Sequence, residues 1–137
     1  MKYDFIDWQE FEAPGATEGE AVGVLTLNRP DLNNAFGPRM AMELDTILDE
    51  IRHRQVRVVL VTGAGETFCS SAELTEALEP LEQPEIASGM RDEEGEFARW
   101  AIKDQFHAIT QRAFRKLEGL PQAVIAAIDG AAIGAGF

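Results

Sequence analysis

The chain has 137 residues, 45% of them hydrophobic and 26% charged, which predicts one globular domain over residues 1–137 and excludes a disordered chain. Its formal net charge of −12, from 24 acidic and 12 basic residues, argues against nucleic acid or an anionic membrane as a partner. Cys69 is the only cysteine, so no disulfide can form within the chain and a cytoplasmic location is expected.

The first predicted elements are two strands. Residues 3–12 alternate loosely and mix aromatic with acidic side chains, a pattern that favours an edge strand. Residues 22–27 are apolar enough to form a half-buried or wholly buried strand. This second strand should end before Pro30, because proline cannot donate a hydrogen bond to a sheet.

An amphipathic helix is predicted next, with Pro38 at its first position. Its apolar stripe consists of Met40, Leu44, Ile47, Leu48 and Ile51, which recur at helical spacing. Residues 58–61 then form a run of β-branched residues and leucine, which is typical of a central parallel strand covered on both faces. Strand, helix and strand in this order indicate a βαβ unit and the α/β class.

The second half of the chain begins with an acidic segment at about residues 79–96 that contains Pro80, Pro84 and Gly89. Its composition predicts a surface loop and not a separate domain. Residues 97–117 return to a helical pattern, and residues 124–128 are predicted to form a second buried parallel strand. The two histidines, His53 and His107, lack the spacing of a metal pair, so no metal site is predicted.

Two of these strands lead into turns of small residues. One turn segment covers residues 63–74 and the other covers residues 130–136. Small residues allow close approach to the backbone, and the amides at the start of a helix favour an anion. Two such N–H groups that point at one oxygen can stabilise an enolate formed from a thioester, and one donor of this kind is typically worth about 2.7–4 kcal/mol.

Four stretches also match motifs that occur together in one family. They are LNRP at residues 27–30 with NAF at 34–36, VVLVTG at 58–63, FCSSAEL at 68–74 and PQAVIAAIDGAAIGAG at 121–136. Their sequences, order and separations resemble those of the crotonase, or enoyl-CoA hydratase/isomerase, superfamily. The resemblance covers nearly the whole chain and implies a crotonase-like ββα spiral, present here as its N-terminal part and truncated after the later turn.

The resemblance also implies a site. The backbone N–H groups of Ala72 and Ala135 correspond to the two catalytic donors of an oxyanion hole. Substrate or coenzyme A binding is implied for Asn34, Ala35, Phe36, Ser70, Ser71, Ala72, Leu74, Gly134 and Ala135. The implied substrate is an acyl-CoA thioester, with no cofactor other than the coenzyme A that it carries, and the implied assembly is a homo-oligomer built from trimers. Separately, the apolar character of the last strand-to-helix corner predicts self-association or pairing with a complementary chain.

Some positions depart from the family pattern. Ser71 stands where the family usually has glycine, and a positive φ there would strain serine by roughly 1–2 kcal/mol. The family's acid/base carboxylates lie beyond residue 137. A carboxylate of the acidic segment, such as Asp92 or Glu96, is one alternative base, although a solvated surface loop is the simpler interpretation. Cys69 is interpreted as a small core residue and not as a nucleophile.

The activity best indicated is hydration of a 2-enoyl-CoA or isomerisation of its double bond through an enolate-like intermediate. Two alternatives remain open at this stage. The chain can be a non-catalytic member of the family that acts as a binding or assembly module, because its last strand-to-helix corner is apolar. It can also be a carbon–carbon bond hydrolase or a dehalogenase of the same superfamily.

Overall fold

The structure, a computed structural model, describes residues 3–12, 15, 20–73, 75–76 and 99–137, with the backbone alone for 99–105. The elements in chain order are β1 (Ile6–Phe11), β2 (Ala21–Leu27), α1 (Pro38–Ile51), β3 (Val56–Gly63), β4 (Thr67–Cys69), α2 (Arg99–Glu118), β5 (Ala123–Ala126) and β6 (Ala131–Ala132). Short 3₁₀ turns occupy Pro30–Leu32 and Gly134–Gly136. Leu74 and the predicted acidic segment lie outside the described residues.

The main sheet has four strands in the order β1-β2-β3-β5. Strand β1 runs antiparallel to β2 at one edge, which confirms the predicted edge strand. The pairs β2–β3 and β3–β5 are parallel. Since α1 connects β2 to β3, the predicted βαβ unit is present, and the carboxyl ends of β2, β3 and β5 meet at one edge of the sheet.

The predicted stripe of α1 forms the centre of the core. Its members Met40, Leu44, Ile47, Leu48 and Ile51 are all buried, and they pack in one cluster with Leu25 of β2 and Val59 of β3. Pro38 occupies the first turn and Gly37 is the N-cap. Proline suits this position because its missing N–H has no acceptor inside the helix.

Helices α1 and α2 are joined by a cluster of charges around Asp45. The Arg112 guanidinium makes two contacts of 2.9 Å with the Asp45 carboxylate. The Lys116 ammonium lies 2.9 Å from Asp45 Oδ1 and 2.7 Å from Asp49 Oδ2. Burial alone would raise the pKa of Asp45, but the hydrogen bonds and charges of Lys116 and Arg112 outweigh it and hold that pKa below its ordinary value.

We expect Asp45→Asn to lower the free energy of unfolding by about 1–3 kcal/mol at neutral pH, because it removes the central charge of a partly buried cluster. A carboxyl whose pKa is lowered on folding stabilises the chain above its unfolded pKa, and that stabilisation is lost as the pH falls. The difference in unfolding free energy between wild type and variant should therefore disappear as the pH falls below 3.8, the ordinary pKa of aspartate. Urea denaturation across this range measures it.

Asp49→Asn is the matched control, because Asp49 is 66% exposed and contacts the same lysine. Its cost should stay below about 0.5 kcal/mol at every pH. An equal cost for both variants would contradict the central position assigned to Asp45.

The last strand of the sheet differs from the prediction. Residues 124–128 were expected to be a buried strand, but β5 ends at Ala126, and Val124, Ile125 and Ile128 are 39%, 51% and 57% exposed. The prediction of burial is therefore wrong for this part of the chain. Strand β5 lies at the edge of the sheet, and the described elements cover these side chains only in part. No helix in the described ranges is long and apolar enough to cross a membrane.

Candidate active site

A second, two-stranded sheet brings together the two turns singled out in the sequence. Strands β4 and β6 run parallel, with Cys69 opposite Ala132, and Ile133 N–H donates to the Cys69 carbonyl at 2.9 Å. Parallel strands end at the same edge of a sheet. The first turn (residues 70–73) follows β4 and the second turn (Gly134–Gly136) follows β6, so the two turns lie side by side.

The first turn is held against the start of α1 through Phe36. Phe36 N–H donates to the Ser71 carbonyl at 2.8 Å, and Glu73 N–H donates to the Phe36 carbonyl at 3.0 Å. In this parallel bridge the neighbours of Ala72 make the hydrogen bonds, so the N–H of Ala72 itself points away from Phe36. Within the described residues, no atom accepts a hydrogen bond from Ala72 N–H.

The second turn leaves a comparable amide. Gly136 N–H donates to the Ile133 carbonyl and Phe137 N–H donates to the Gly134 carbonyl, at 3.0 and 3.1 Å. The first amides of a helical turn have no acceptor within the turn. Ala135 N–H is one of these, and the described part of the chain offers it no acceptor. The family resemblance implied Ala72 N–H and Ala135 N–H as the two donors. Both residues are half-buried, and neither amide has an acceptor among the described residues.

Ser71 has the positive φ that would strain a serine at this position. Its φ is +146°, a value that L-residues rarely adopt and that costs of the order of 1–3 kcal/mol. Asn33 and Asn34 also have positive φ, at 51° and 53°, but asparagine tolerates that left-handed region well. The loop at Asn33 and Asn34 and the first turn are adjacent, because Ser70 N–H donates to the Asn33 carbonyl at 3.0 Å.

Asn34 does not have the position expected of a ligand-binding side chain. It is fully buried, at 0% exposure. Its Nδ2 donates to the carbonyls of Ala64 at 2.8 Å and Thr67 at 2.7 Å, and its Oδ1 accepts from Arg29 N–H at 2.8 Å. Both donors are used, so no surface of this side chain is left for a ligand. Asn34 instead ties its loop to the turn between β3 and β4.

Two carboxylates connect the first turn to the start of α1. The Glu73 carboxylate accepts from the amides of Glu76 at 2.6 Å and Thr75 at 2.9 Å. Burial alone would raise the pKa of Glu73, but these hydrogen bonds and the Arg29 charge outweigh it and lower that pKa. The Glu76 carboxylate is only 6% exposed; it accepts from Arg39 N–H in the first turn of α1 at 3.1 Å and lies 3.5 Å from the Arg29 guanidinium.

We expect Glu76→Gln to lower the free energy of unfolding by about 1 kcal/mol, because the amide keeps the shape but removes the charge that faces the helix N-terminus, Arg29 and Arg39. The amides of Phe36 and Glu73 should exchange hydrogen faster, since Glu76 helps to hold the first turn against α1. Amide exchange resolved by residue measures this. Glu66→Gln, at an exposed carboxylate, should change neither quantity, and an equal effect there would contradict the assignment.

A cavity of about 320 Å³ lies beside the second turn. Among its lining residues are Phe36, Cys69, Phe114, Ala135 and Gly136, so it is largely apolar, and Glu118 is the single charged residue of the described lining. The rings of Phe36 and Phe114 lie 5.2 Å apart. Burial raises the pKa of the Cys69 thiol, which disfavours the reactive thiolate and agrees with its interpretation as a core residue.

The predicted site residues therefore divide into groups. Phe36 and Ala135 line the cavity, whereas Ala35, Ser70, Ser71 and Ala72 are half-buried around the first turn and Gly134 is exposed in the second. Sequence reasoning missed the β4–β6 pair, because a strand of two or three residues leaves no periodic pattern. It also missed the contact between the Glu76 carboxylate and the first turn of α1. No cluster of three histidine, cysteine, aspartate or glutamate side chains suited to a metal occurs among the described residues.

Comparison with known proteins decides the family. The family model described as enoyl-CoA hydratase/isomerase matches residues 17–137. The chain belongs to the enoyl-CoA hydratase/isomerase family. This confirms the resemblance to the crotonase superfamily that was drawn from the sequence motifs.

Individual members of the family agree with this assignment. The chain is 34% identical over 117 residues to the short-chain-enoyl-CoA hydratase of Clostridium acetobutylicum, an alignment that covers 84% of this chain and 38% of the relative. It is 33% identical over 118 residues to the 1,2-epoxyphenylacetyl-CoA isomerase of Escherichia coli, covering 85% and 40%. The chain thus spans about 40% of the length of these enoyl-CoA hydratase/isomerase relatives.

Solved structures confirm the crotonase-like fold. The enoyl-CoA hydratase of Bacillus anthracis superposes with a TM-score of 0.68 at 30% identity, over 97% of this chain and 43% of that one. An enoyl-CoA hydratase of Shewanella pealeana, at 20% identity, gives a TM-score of 0.70 over 98% and 43%. The elements from β1 to the second turn therefore correspond to a portion of the enoyl-CoA hydratase/isomerase fold.

Proposed function

We propose that this protein acts on acyl-CoA thioesters through an enolate-like intermediate, as an enoyl-CoA hydratase or isomerase. The observation that supports this most directly is the pair of unpartnered amides, Ala72 N–H and Ala135 N–H, on two turns held side by side by β4 and β6. Family membership supports the substrate class. Coenzyme A enters as part of the substrate, and no further cofactor is proposed.

In this mechanism the two amides donate hydrogen bonds to the thioester carbonyl oxygen. When a nucleophile adds to the conjugated double bond, or a proton leaves the carbon beside the carbonyl, negative charge develops on that oxygen. Fixed donors in a half-buried site stabilise this charge more than they stabilise the neutral thioester, because they need no reorganisation. The apolar cavity beside Ala135 offers room for the hydrocarbon part of the acyl group.

The test is hydration of crotonyl-CoA by the full-length gene product, followed as loss of the enoyl-thioester absorbance. Activity is expected with crotonyl-CoA, and butyryl-CoA, the saturated analogue, should act as a competitive inhibitor, because it offers the same carbonyl oxygen without a double bond. Inhibition without turnover would favour isomerisation over hydration and would call for a shifted-enoyl substrate. Neither turnover nor binding of either thioester would refute the proposal.

A binding or assembly function is the second candidate, and one observation favours it. Val124, Ile125, Ile128 and Ile133 are all between 39% and 57% exposed on neighbouring parts of the chain. Exposed apolar groups of this size mark contact surfaces. We therefore propose self-association, trimer-based by resemblance, or a complementary chain, in a cytoplasmic setting. Sedimentation equilibrium that gave a monomer at micromolar concentration would refute the association.

A further inference from the structure

Ser71 combines a backbone outlier with an unused hydroxyl. Its φ of +146° lies where L side chains are strained, at the position where the family motif has glycine. Within the described residues its Oγ neither donates nor accepts a hydrogen bond, although the residue is half-buried. Backbone strain of this kind clusters at active sites and ligand clamps. The position of the hydroxyl indicates what Ser71 does here.

The hydroxyl lies at the contact between the two turns. A Cβ atom placed on Gly134 would be 2.8 Å from Ser71 Oγ and 3.6 Å from Ser71 Cβ, so Gly134 has room for the hydroxyl because it has no side chain. Standard bond lengths then place the Ala135 nitrogen within about 7 Å of Ser71 Oγ, and the Ala72 nitrogen within about 5 Å. Ser71 directly precedes Ala72 and Gly134 directly precedes Ala135, so the hydroxyl lies where the residues before the two amides meet.

We propose that Ser71 Oγ–H is a third hydrogen-bond donor to the acyl oxygen of the thioester, beside the amides of Ala72 and Ala135. The inference rests on the proposed function and adds a side-chain donor to a site otherwise built from backbone. The hydroxyl keeps its proton throughout, so no covalent step is involved. Its hydrogen bond strengthens as negative charge develops on the oxygen, which makes its contribution larger in the transition state than in the bound thioester.

Carbonyl polarisation provides a readout that a purely structural role would not change. Butyryl-CoA labelled with ¹³C at the carbonyl is bound to the full-length gene product, and its carbonyl stretch is measured by infrared difference spectroscopy. Each hydrogen bond to the oxygen lowers this frequency. Ser71→Ala keeps the backbone strain and removes the hydroxyl, whereas Ser71→Gly removes both. We expect both variants to lose the same part of the wild-type shift.

Stability and kinetics separate the donor from the strain. Ser71→Gly should melt at a higher temperature than Ser71→Ala, because glycine adopts positive φ without strain. Nevertheless both should lower kcat for crotonyl-CoA about 10- to 100-fold, with a smaller change in KM. Asn33→Gly is the matched control, since Asn33 is exposed and has φ +51° next to the site. It should leave the carbonyl frequency unchanged.

The outcomes are distinguishable. A wild-type carbonyl frequency in Ser71→Ala, or a kcat that follows the melting temperatures of the two variants, would overturn the donor assignment and leave the proposed function intact. No shift of the carbonyl stretch in the wild-type protein would overturn the proposed function, and this inference with it. A shared loss in Ser71→Ala and Ser71→Gly, absent from Asn33→Gly, supports the third donor.

Discussion

Asn34→Ala is expected to lower the free energy of unfolding by about 3–5 kcal/mol, the largest loss that we expect from a single side chain in this structure. The substitution leaves three backbone groups without their buried partner: the carbonyls of Ala64 and Thr67 and the amide of Arg29. Each buried polar group left unsatisfied costs about 1–3 kcal/mol. Denaturation by guanidinium chloride measures the loss.

The effect should extend to the candidate site. Asn34 connects the loop before α1 to the turn that leads into β4, so its loss frees the strand that carries the first turn. Hydrogen exchange at the Ser70 amide, which donates to the Asn33 carbonyl, should accelerate. A catalytic assay of the full-length gene product should show a reduced kcat even under conditions in which the variant remains folded.

Asn33→Ala is the control for this prediction. Asn33 shares the left-handed backbone of its neighbour, with φ +51°, but its side chain is exposed. It should cost only about 1 kcal/mol, the price of placing alanine in that region. Similar losses for Asn33→Ala and Asn34→Ala would show that backbone conformation, and not the buried hydrogen bonds, determines the stability of this loop.

Gly130→Ala is expected to cost about 2–4 kcal/mol and to displace the second turn. Gly130 has φ +71°, and a Cβ atom there would overlap the backbone carbonyl of Glu66. Backbone cannot move aside as a flexible side chain can, so the overlap adds to the strain of alanine at positive φ. Because Gly130 directly precedes β6, the substitution should separate β6 from β4 and move Ala135 away from Ala72.

The matched control is Gly65→Ala. Gly65 has a similar φ of +77°, yet a Cβ atom there would approach only Pro30 Cβ, at 3.4 Å. We expect it to cost about 1 kcal/mol, the strain of positive φ alone. Circular dichroism during thermal denaturation compares the two variants, and weakened binding of butyryl-CoA should accompany Gly130→Ala only. Equal losses in stability and affinity would contradict the steric argument.

The sequence predicted the elements whose pattern is long and regular. The α1 stripe from Met40 to Ile51 was identified because only a helix places those residues on one face. The run from Val58 to Val61 was identified as a parallel strand because continuous β-branched residues and leucine are typical of strands covered on both faces. The prediction that residues 124–128 are buried was wrong. An apolar run shows that a strand can be covered, but it does not show which element covers it.

The candidate site was only partly predictable. The motifs located Ala72 and Ala135, but the sheet that places their turns together consists of strands too short to recognise by alternation. Asn34 was expected near the ligand because the family resemblance implied it. Its capacity for three hydrogen bonds and its tolerance of positive φ were signals of a buried structural role. The sequence alone did not determine whether Ser71 has a positive φ.

The pairing of β4 with β6 has a consequence for when the site can form. The two strands are separated by α2, β5 and the whole segment between them, so their pairing closes one of the longest loops in the described chain. Such distant contacts are entropically costly and tend to form late in folding. A nascent chain would therefore pair β1, β2 and β3 before it could bind a thioester, and a ligand held by both turns would raise the melting temperature of the whole unit.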